Sequence, residues 1–250
     1  MRSPLTFTNF FRKSVLFSAV AAALAFSSCS KNKDYVYTPA ITYLETFNAL
    51  VSTSSLDVYV GDNPPVKLNT TPFSFGQNTT DFFRFGQGYG QVAVTLSGST
   101  TVLFAKTIAL QSPNIYSGYI VGDKAEKERM DYLLIRNVGI TLATGKSAVR
   151  LLNLSPDAPA VNVEISSDAT TKLENVAYKG NTDFKATPIG TGVTLTLKNT
   201  TTGAVLATLP NVEFKDGIYY SVLAYGLVNA TDATKIALKV NSFDPKKFQF

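Results

Sequence analysis

The chain has 250 residues, 16% of them charged and 45% hydrophobic, with one cysteine, no histidine, no tryptophan and a formal net charge of +5. The missing histidines exclude Ser-His-Asp and Cys-His nucleophile pairs and His-ligated zinc. One cysteine excludes an intrachain disulfide and a thiolate metal site. The length is too great for one small sandwich and suits two domains of about 100 residues each.

In chain order, Arg2, Arg12 and Lys13 precede the uncharged run Ser14 to Ser28. That run is shorter than the ~20 apolar residues of a membrane-spanning helix. Its charged start, apolar middle and small-residue exit predict a secretory signal over residues 1–28. Three cations leave with the signal, so 20 basic residues face 18 acidic ones and the net charge falls to +2. The basicity is therefore an export feature, and nucleic acid is not expected as a partner. Cys29 follows, in "FSSCS". This stretch resembles a bacterial lipobox, with small Ser27 and Ser28 before the cut and Phe26 where Leu is usual, a looseness familiar from Bacteroidetes-type lipoproteins. The resemblance implies a diacylglyceryl group on Cys29 and a membrane partner reached through that lipid. Each buried methylene adds about 0.8 kcal/mol, and two or more chains make a stable anchor. The expected address is the cell envelope, as an outer-membrane lipoprotein facing either the periplasm or the exterior. Residues 29–40 are polar and Pro-containing and read as a tether.

Beyond the tether the chain repeats itself. "LDVYV" (56–60) precedes "VNVEI" (161–165) by 105 positions, "VAVTL" (92–96) precedes "VTLTL" (193–197) by 101, and "YSGYIVG" (116–122) precedes "YSVLAYG" (220–226) by 104. Matches in one order at a nearly constant offset predict a tandem duplication, with domains at 41–145 and 146–250 joined within 139–147. So short a connection predicts domains that touch and are stiffly related. In "VNVEI" Val161, Val163 and Ile165 share one face and Asn162 and Glu164 the other, the period of two of half-buried strands. "GDNPP", "GQGYGQ", "NTTTG" and "KDG" carry turn chemistry. The expected fold is all-β, two tandem immunoglobulin-like antiparallel sandwiches.

Ser155, Pro156, Asp157, Ala158 and Pro159 interrupt the strands of "AVRLLNLSPDAPAVNVEI". Pro156 presets a turn, Asp157 can accept from amides two residues on, and Pro159 suits the start of a strand. The reading is a structural turn, because the first copy keeps the flanking strands and lacks the motif. This segment, with Val149-Arg150, Gly190 and Tyr219-Tyr220, resembles the bacterial family of domain of unknown function 4397, clearly over 147–245 and weakly over the first copy. The resemblance implies a secreted or lipid-anchored immunoglobulin-like sandwich and no catalytic residue.

The sharpest binding candidate is "DFFRFGQGYGQ" (81–91). Phe83, Arg84, Phe85 and Tyr89 could form an aromatic platform for sugar rings, or Phe83 and Phe85 could face the core. Tyr219 and Tyr225 share a face of a late strand that suits packing against the other domain. No metal site, no cofactor and no acid pair is expected from the spacing of the carboxylates. The expected function is a non-catalytic envelope module that binds a glycan or an envelope protein. The alternatives are an accessory subunit of a polysaccharide-utilisation or transport assembly, docked through the interdomain surface, and a carboxylate-dependent glycan hydrolase.

Overall fold

The computed structural model describes residues 40–61, 65–79, 81–126 and 129–250. Cys29, the signal and almost all of the tether lie outside them. Ala40–Phe250 forms one compact unit.

The first half contains β1 (Ile41–Asn48), β2 (Leu56–Val60), β3 (Val66–Lys67), β4 (Phe83–Gly86), β5 (Gly88–Leu96), β6 (Val102–Leu110), β7 (Asn114–Val121) and β8 (Asp131–Arg136). The second contains β9 (Lys146–Asn153), β10 (Val161–Ile165), β11 (Asp168–Val176), β12 (Lys185–Pro188), β13 (Gly190–Asn199), β14 (Val205–Phe214), β15 (Tyr219–Tyr225) and β16 (Ala237–Phe243). Each half is a sandwich. Sheets β3-β2-β5-β6 and β4-β1-β7-β8 build the first, and sheets β11-β10-β13-β14 and β12-β9-β15-β16 the second.

One pair in each sandwich departs from the antiparallel expectation. β1 runs parallel to β7, and β9 parallel to β15, whereas the other pairs are antiparallel. The reason is connectivity. The chain crosses to the other sheet and returns before β7 or β15 forms, so the pairing is not constrained by a hairpin.

The strands of those parallel pairs are buried on both faces, because the two sandwiches stack sheet against sheet. On β1, Leu44 enters the first core and Phe47 enters a separate cluster with Tyr119, Val121, Leu152, Leu154 and Leu223. On β9, Val149 and Leu151 enter the second core while Leu152 faces that same cluster. Period two thus operates on both faces at once, and "IYSGYIV" and "SAVRLLN" read as nearly continuous apolar runs for that reason. β10 and β13 lie in the outer sheet and show the alternation of one-sided burial: in "VNVEI" Val161, Val163 and Ile165 are buried, Asn162 is half-buried and Glu164 is exposed.

Both halves close with a tyrosine bridge. The Gln111 N–H donates to Tyr116 Oη at 3.1 Å, and the Lys215 N–H donates to Tyr220 Oη at 2.9 Å. A late-strand tyrosine bonded to backbone a few residues upstream is a hallmark of immunoglobulin-like sandwiches. Gly118, within β7, lets the ring of Tyr132 lie flat against the strand, where a Cβ would collide with its hydroxyl. That hydroxyl bonds Thr46 Oγ1 at 2.8 Å.

Candidate functional site

The Ser-Pro-Asp-Ala-Pro segment folds as a clamp. Ser155 is buried and its hydroxyl donates to Gly226 O at 2.5 Å. The Asp157 carboxylate accepts the Val228 N–H at 2.9 and 3.1 Å. Asn153, just before the motif, donates to Pro159 O at 3.2 Å and Val176 O at 3.1 Å and accepts from the Ser155 N–H at 3.1 Å. The first copy retains the asparagine: Asn48 donates to Phe73 O at 2.9 Å and accepts from the Leu50 N–H at 3.1 Å. There, Val51 takes over the Pro156 position and bonds Gly122 and Lys124 through its own backbone. A backbone bridge thus replaces the carboxylate clamp. Changing Asp157 to Ala is expected to cost about 1–2 kcal/mol, the worth of a charge-assisted bond to one amide. Urea unfolding should show that loss, and a change below ~0.3 kcal/mol would mean the clamp holds nothing.

The first-copy hairpin scatters its aromatic residues. Phe83 and Phe85 lie half-buried against the first core. Arg84 is exposed on the alternate face, 6.0 Å over the Tyr43 ring. Tyr89 stands on β5 in the other sheet and is 83% exposed. Phe82 packs on Phe248 at 4.9 Å and Phe243 at 6.4 Å, both from the second half. The four candidate residues therefore do not share one surface. Of the tyrosine row, Tyr225 meets Phe47 and Phe75 of the first half, each at 5.2 Å between ring centroids. Tyr219 stacks on Phe243 and bonds the backbone of Ile140 in the connection between the halves.

What the strand patterns conceal is a polar chain through the junction. Glu45, Ser117, Arg150 and Ser221 occupy the junction faces of β1, β7, β9 and β15, amid apolar neighbours. Ser117 Oγ donates to Glu45 Oε1 at 2.8 Å, and Asn137 Nδ2 donates to Ser117 Oγ at 3.0 Å. Arg150 donates through Nη2 to Asn137 Oδ1 at 2.6 Å and through Nε to Ser221 Oγ at 2.9 Å, with its guanidinium 4.5 Å over the Phe184 ring. Burial pushes the Glu45 carboxyl up to about 7, although the Ser117 bond and the Arg150 charge pull the other way. Glu45 and Arg150 are 105 positions apart, the offset of the duplication. A charged residue at equivalent places in two strands was the available signal.

Glu45 also reaches a groove of about 690 Å³ whose walls come from both halves. Asn78, Asp81 and Phe82 line one wall; Glu213, Lys215, Tyr220, Phe243, Asp244, Lys247 and Phe248 line the other. Spacing along the chain brought no two acids together, yet folding places four carboxyls around this groove. They come from β1, the segment before β4, β14 and the C-terminal segment, so no local pattern joins them. A 3-10 turn at Pro245–Lys247, capped by Asp244, carries the chain back toward the first half. There the Tyr43 hydroxyl donates to Gln249 O at 2.8 Å and its ring packs on Phe248 at 4.8 Å. Among the described residues no group of acids, cysteines or histidines could hold a metal, and no helix is long and apolar enough to cross a membrane.

No curated protein matches the chain in sequence. Solved structures align with it weakly. A streptococcal virulence factor described as binding alpha-glucan aligns at 9% identity over 74% of this chain and 92% of that one, with a TM-score of 0.24. A putative cell adhesion protein from Bacteroides uniformis aligns at 10% identity over 82% and 99%, with a TM-score of 0.26. The fimbrial anchor protein Mfa2 from Porphyromonas gingivalis aligns at 9% identity over 82% and 98%, with a TM-score of 0.21. Likenesses at these scores carry no argument about this chain.

A family model described as "Domain of unknown function (DUF4397)" matches residues 42–164. The family is the one that the Ser-Pro-Asp-Ala-Pro region resembles, but the extent differs from the expected 147–245. The match runs from β1 through the whole first sandwich and ends in β10, just past the Pro-Asp turn. The divergent first copy is thus the part the match spans in full. Residues 42–164, just under half of the chain, match the DUF4397 family model.

Proposed function

We propose that the protein is a lipid-anchored, non-catalytic binding module of the cell envelope, which seats a glycan or a segment of an envelope protein in the groove between its sandwiches. The groove itself carries this reading: it has the size of a ligand site and lies between two packed domains, where such sites concentrate. Its aromatic and charged lining comes from both halves, so rigid stacking of the sandwiches holds it open. A hydrolase would need two carboxyls flanking the bond to be cut. Here Glu45 is the inner, half-buried acid, whereas Asp81 and Glu213 are exposed. Docking a partner through the interdomain surface needs an apolar patch, and the clusters around Phe47 and Tyr219 already fill that surface with this chain's own side chains. Anchoring through Cys29 rests on the lipobox.

The test is photo-crosslinking in intact cells of the source bacterium. A photoreactive amino acid replaces Ser242 at the groove, Tyr89 on the first-copy hairpin, or Thr201 on a distant turn. Adducts from position 242 alone are expected. Adducts from 89 and none from 242 would move the site to the hairpin and sink the groove reading.

A further inference from the structure

A second cavity, of about 240 Å³, opens beside the connection between the halves and shares no lining residue with the groove. Val138 and Ile140 of that connection line it, with Phe184 from the segment before β12. Its charged residues are Arg136, Arg150 and Asp183. Arg136 and Asp183 are exposed, whereas Arg150 is 2% exposed. The Arg150 guanidinium stands between two parts of the lining. It lies 4.5 Å over the Phe184 ring and donates to Asn137, the residue before Val138.

Arg150 has donors to spare. A guanidinium carries N–H bonds on three nitrogens, and here Nε serves Ser221 and Nη2 serves Asn137. Nη1 has no hydrogen-bond partner among the described residues, and it is not sealed from solvent as the unpaired oxygens of Asn78 and Thr95 are. Neither Arg150 nor Arg136 forms an ion pair among the described residues. Glu45, the acid whose charge acts on Arg150, is reached only through Asn137 and Ser117. Burial pushes that carboxyl up to about 7, so near neutrality it offsets only part of the guanidinium charge. A buried cation without a carboxylate partner is costly. An anion entering the cavity supplies that partner, and the end of a guanidinium presents parallel N–H bonds that match the two oxygens of a carboxylate.

Asp183 narrows the choice of anion. With two arginines and one aspartate in the lining, the cavity is left with one positive charge in balance. A phosphate group brings nearly two negative charges past that aspartate, whereas a sugar acid brings one carboxylate and hydroxyls that donate to Asp183. Val138, which is 56% exposed, and the half-buried Ile140 offer apolar surface to the C–H face of a sugar ring. An acidic peptide side chain reaches Arg150 equally and has neither the hydroxyls nor the ring. We propose that this cavity is a second binding site, in which Arg150 and Arg136 hold the carboxylate of one uronic acid residue of an acidic glycan. The site stands independently of the groove.

The experiment is calorimetric titration of the soluble chain from residue 30 onward with trigalacturonic acid, its methyl ester and triglutamate. The acid should bind roughly tenfold or more tightly than the ester, which keeps the rings and hydroxyls and removes the charge. Arg136→Gln should weaken binding of the acid about tenfold and leave the melting temperature unchanged. Val138→Glu should abolish binding by setting a second carboxylate at the mouth of the cavity. Arg150 stays in place in both variants, because replacing it also loosens the junction. Equal binding of acid and ester would overturn the proposal, as would binding of the acid that survives both substitutions. Binding of triglutamate alone would overturn the sugar assignment in favour of an acidic peptide, and no binding by any probe would overturn the site. None of these outcomes bears on the groove, which crosslinking at position 242 reads separately.

Discussion

Replacing Arg150 by Met is expected to destabilise the protein by about 3–5 kcal/mol, the usual cost of removing one member of a buried charged network. Arg150 is 2% exposed, and its guanidinium serves Asn137 from the first half and Ser221 from its own. Methionine fills a similar volume and supplies neither bond, so the buried Asn137 Oδ1 and Ser221 Oγ lose the Arg150 donors. Glu45 loses the nearby positive charge as well. For a unit of this size the melting temperature should fall on the order of 10 °C. Arg150→Lys keeps the charge and lacks the fork that reaches two acceptors at once, so an intermediate loss is expected. The double change with Glu45→Gln should cost less than the two single changes summed, because the partners share one network. Chemical unfolding of the four proteins measures this directly. A loss below ~1 kcal/mol for Arg150→Met would mean that water reaches the junction and that the network is not what holds the halves together.

Glu45→Gln is expected to act in the opposite direction and to remove a pH dependence. The folded protein holds this carboxyl at about 7 against an ordinary value of 4.5, so between those values the folded state binds more protons than the unfolded state. Stability must then fall as pH rises through that window. The contribution is favourable in full below about 4.5, declines progressively, and is gone above about 7. A displacement of this size corresponds to about 2–3 kcal/mol once the half-buried position is allowed for. The chain has no histidine to titrate across the same range. Glutamine keeps an acceptor for Ser117 and carries no charge to desolvate, so the variant should unfold at higher urea than the parent at pH 8 and at the same urea near pH 4.5. Asp57 and Asp131 are held below the ordinary carboxylate value by lysines and hydrogen bonds, and their stabilisation is lost only as pH falls below about 4. The two behaviours are therefore separable along the pH axis. A flat profile between pH 5 and 7.5 would show that Glu45 is as hydrated as a surface acid.

The outer strands were legible because their environment is one-sided. Val161, Val163 and Ile165 face the core, Asn162 and Glu164 do not, and a period of two in the letters becomes a period of two in burial. The turn at Pro156 was legible because proline and aspartate act on adjacent backbone. The inner strands were less so. β7 and β9 are buried on both faces, and such a run says that a strand is covered without saying by what. Phe83 and Phe85 illustrate the same ambiguity from the other side, since their alternation with Arg84 suits a core face or a platform equally. Glu45 does not stand out in "YLETFNAL" because its consequence depends on β7, Asn137 and β9, up to 105 residues away.

The amino-acid sequence alone was enough for the all-β class, the sandwich fold, the turns and the resemblance to the family, though not for the span of that match. All of these follow from composition or from relations between residues a few positions apart, or at one fixed offset. Folding decided which faces of β1 and β9 meet, that β1 and β9 take parallel partners, and that Glu45, Asp81, Glu213 and Asp244 border a single groove. Those outcomes depend on the packing of sheets whose strands are distant in the chain. The groove exists because two duplicated sandwiches stack through equivalent faces, and a strand's own residues do not specify which surface will cover it.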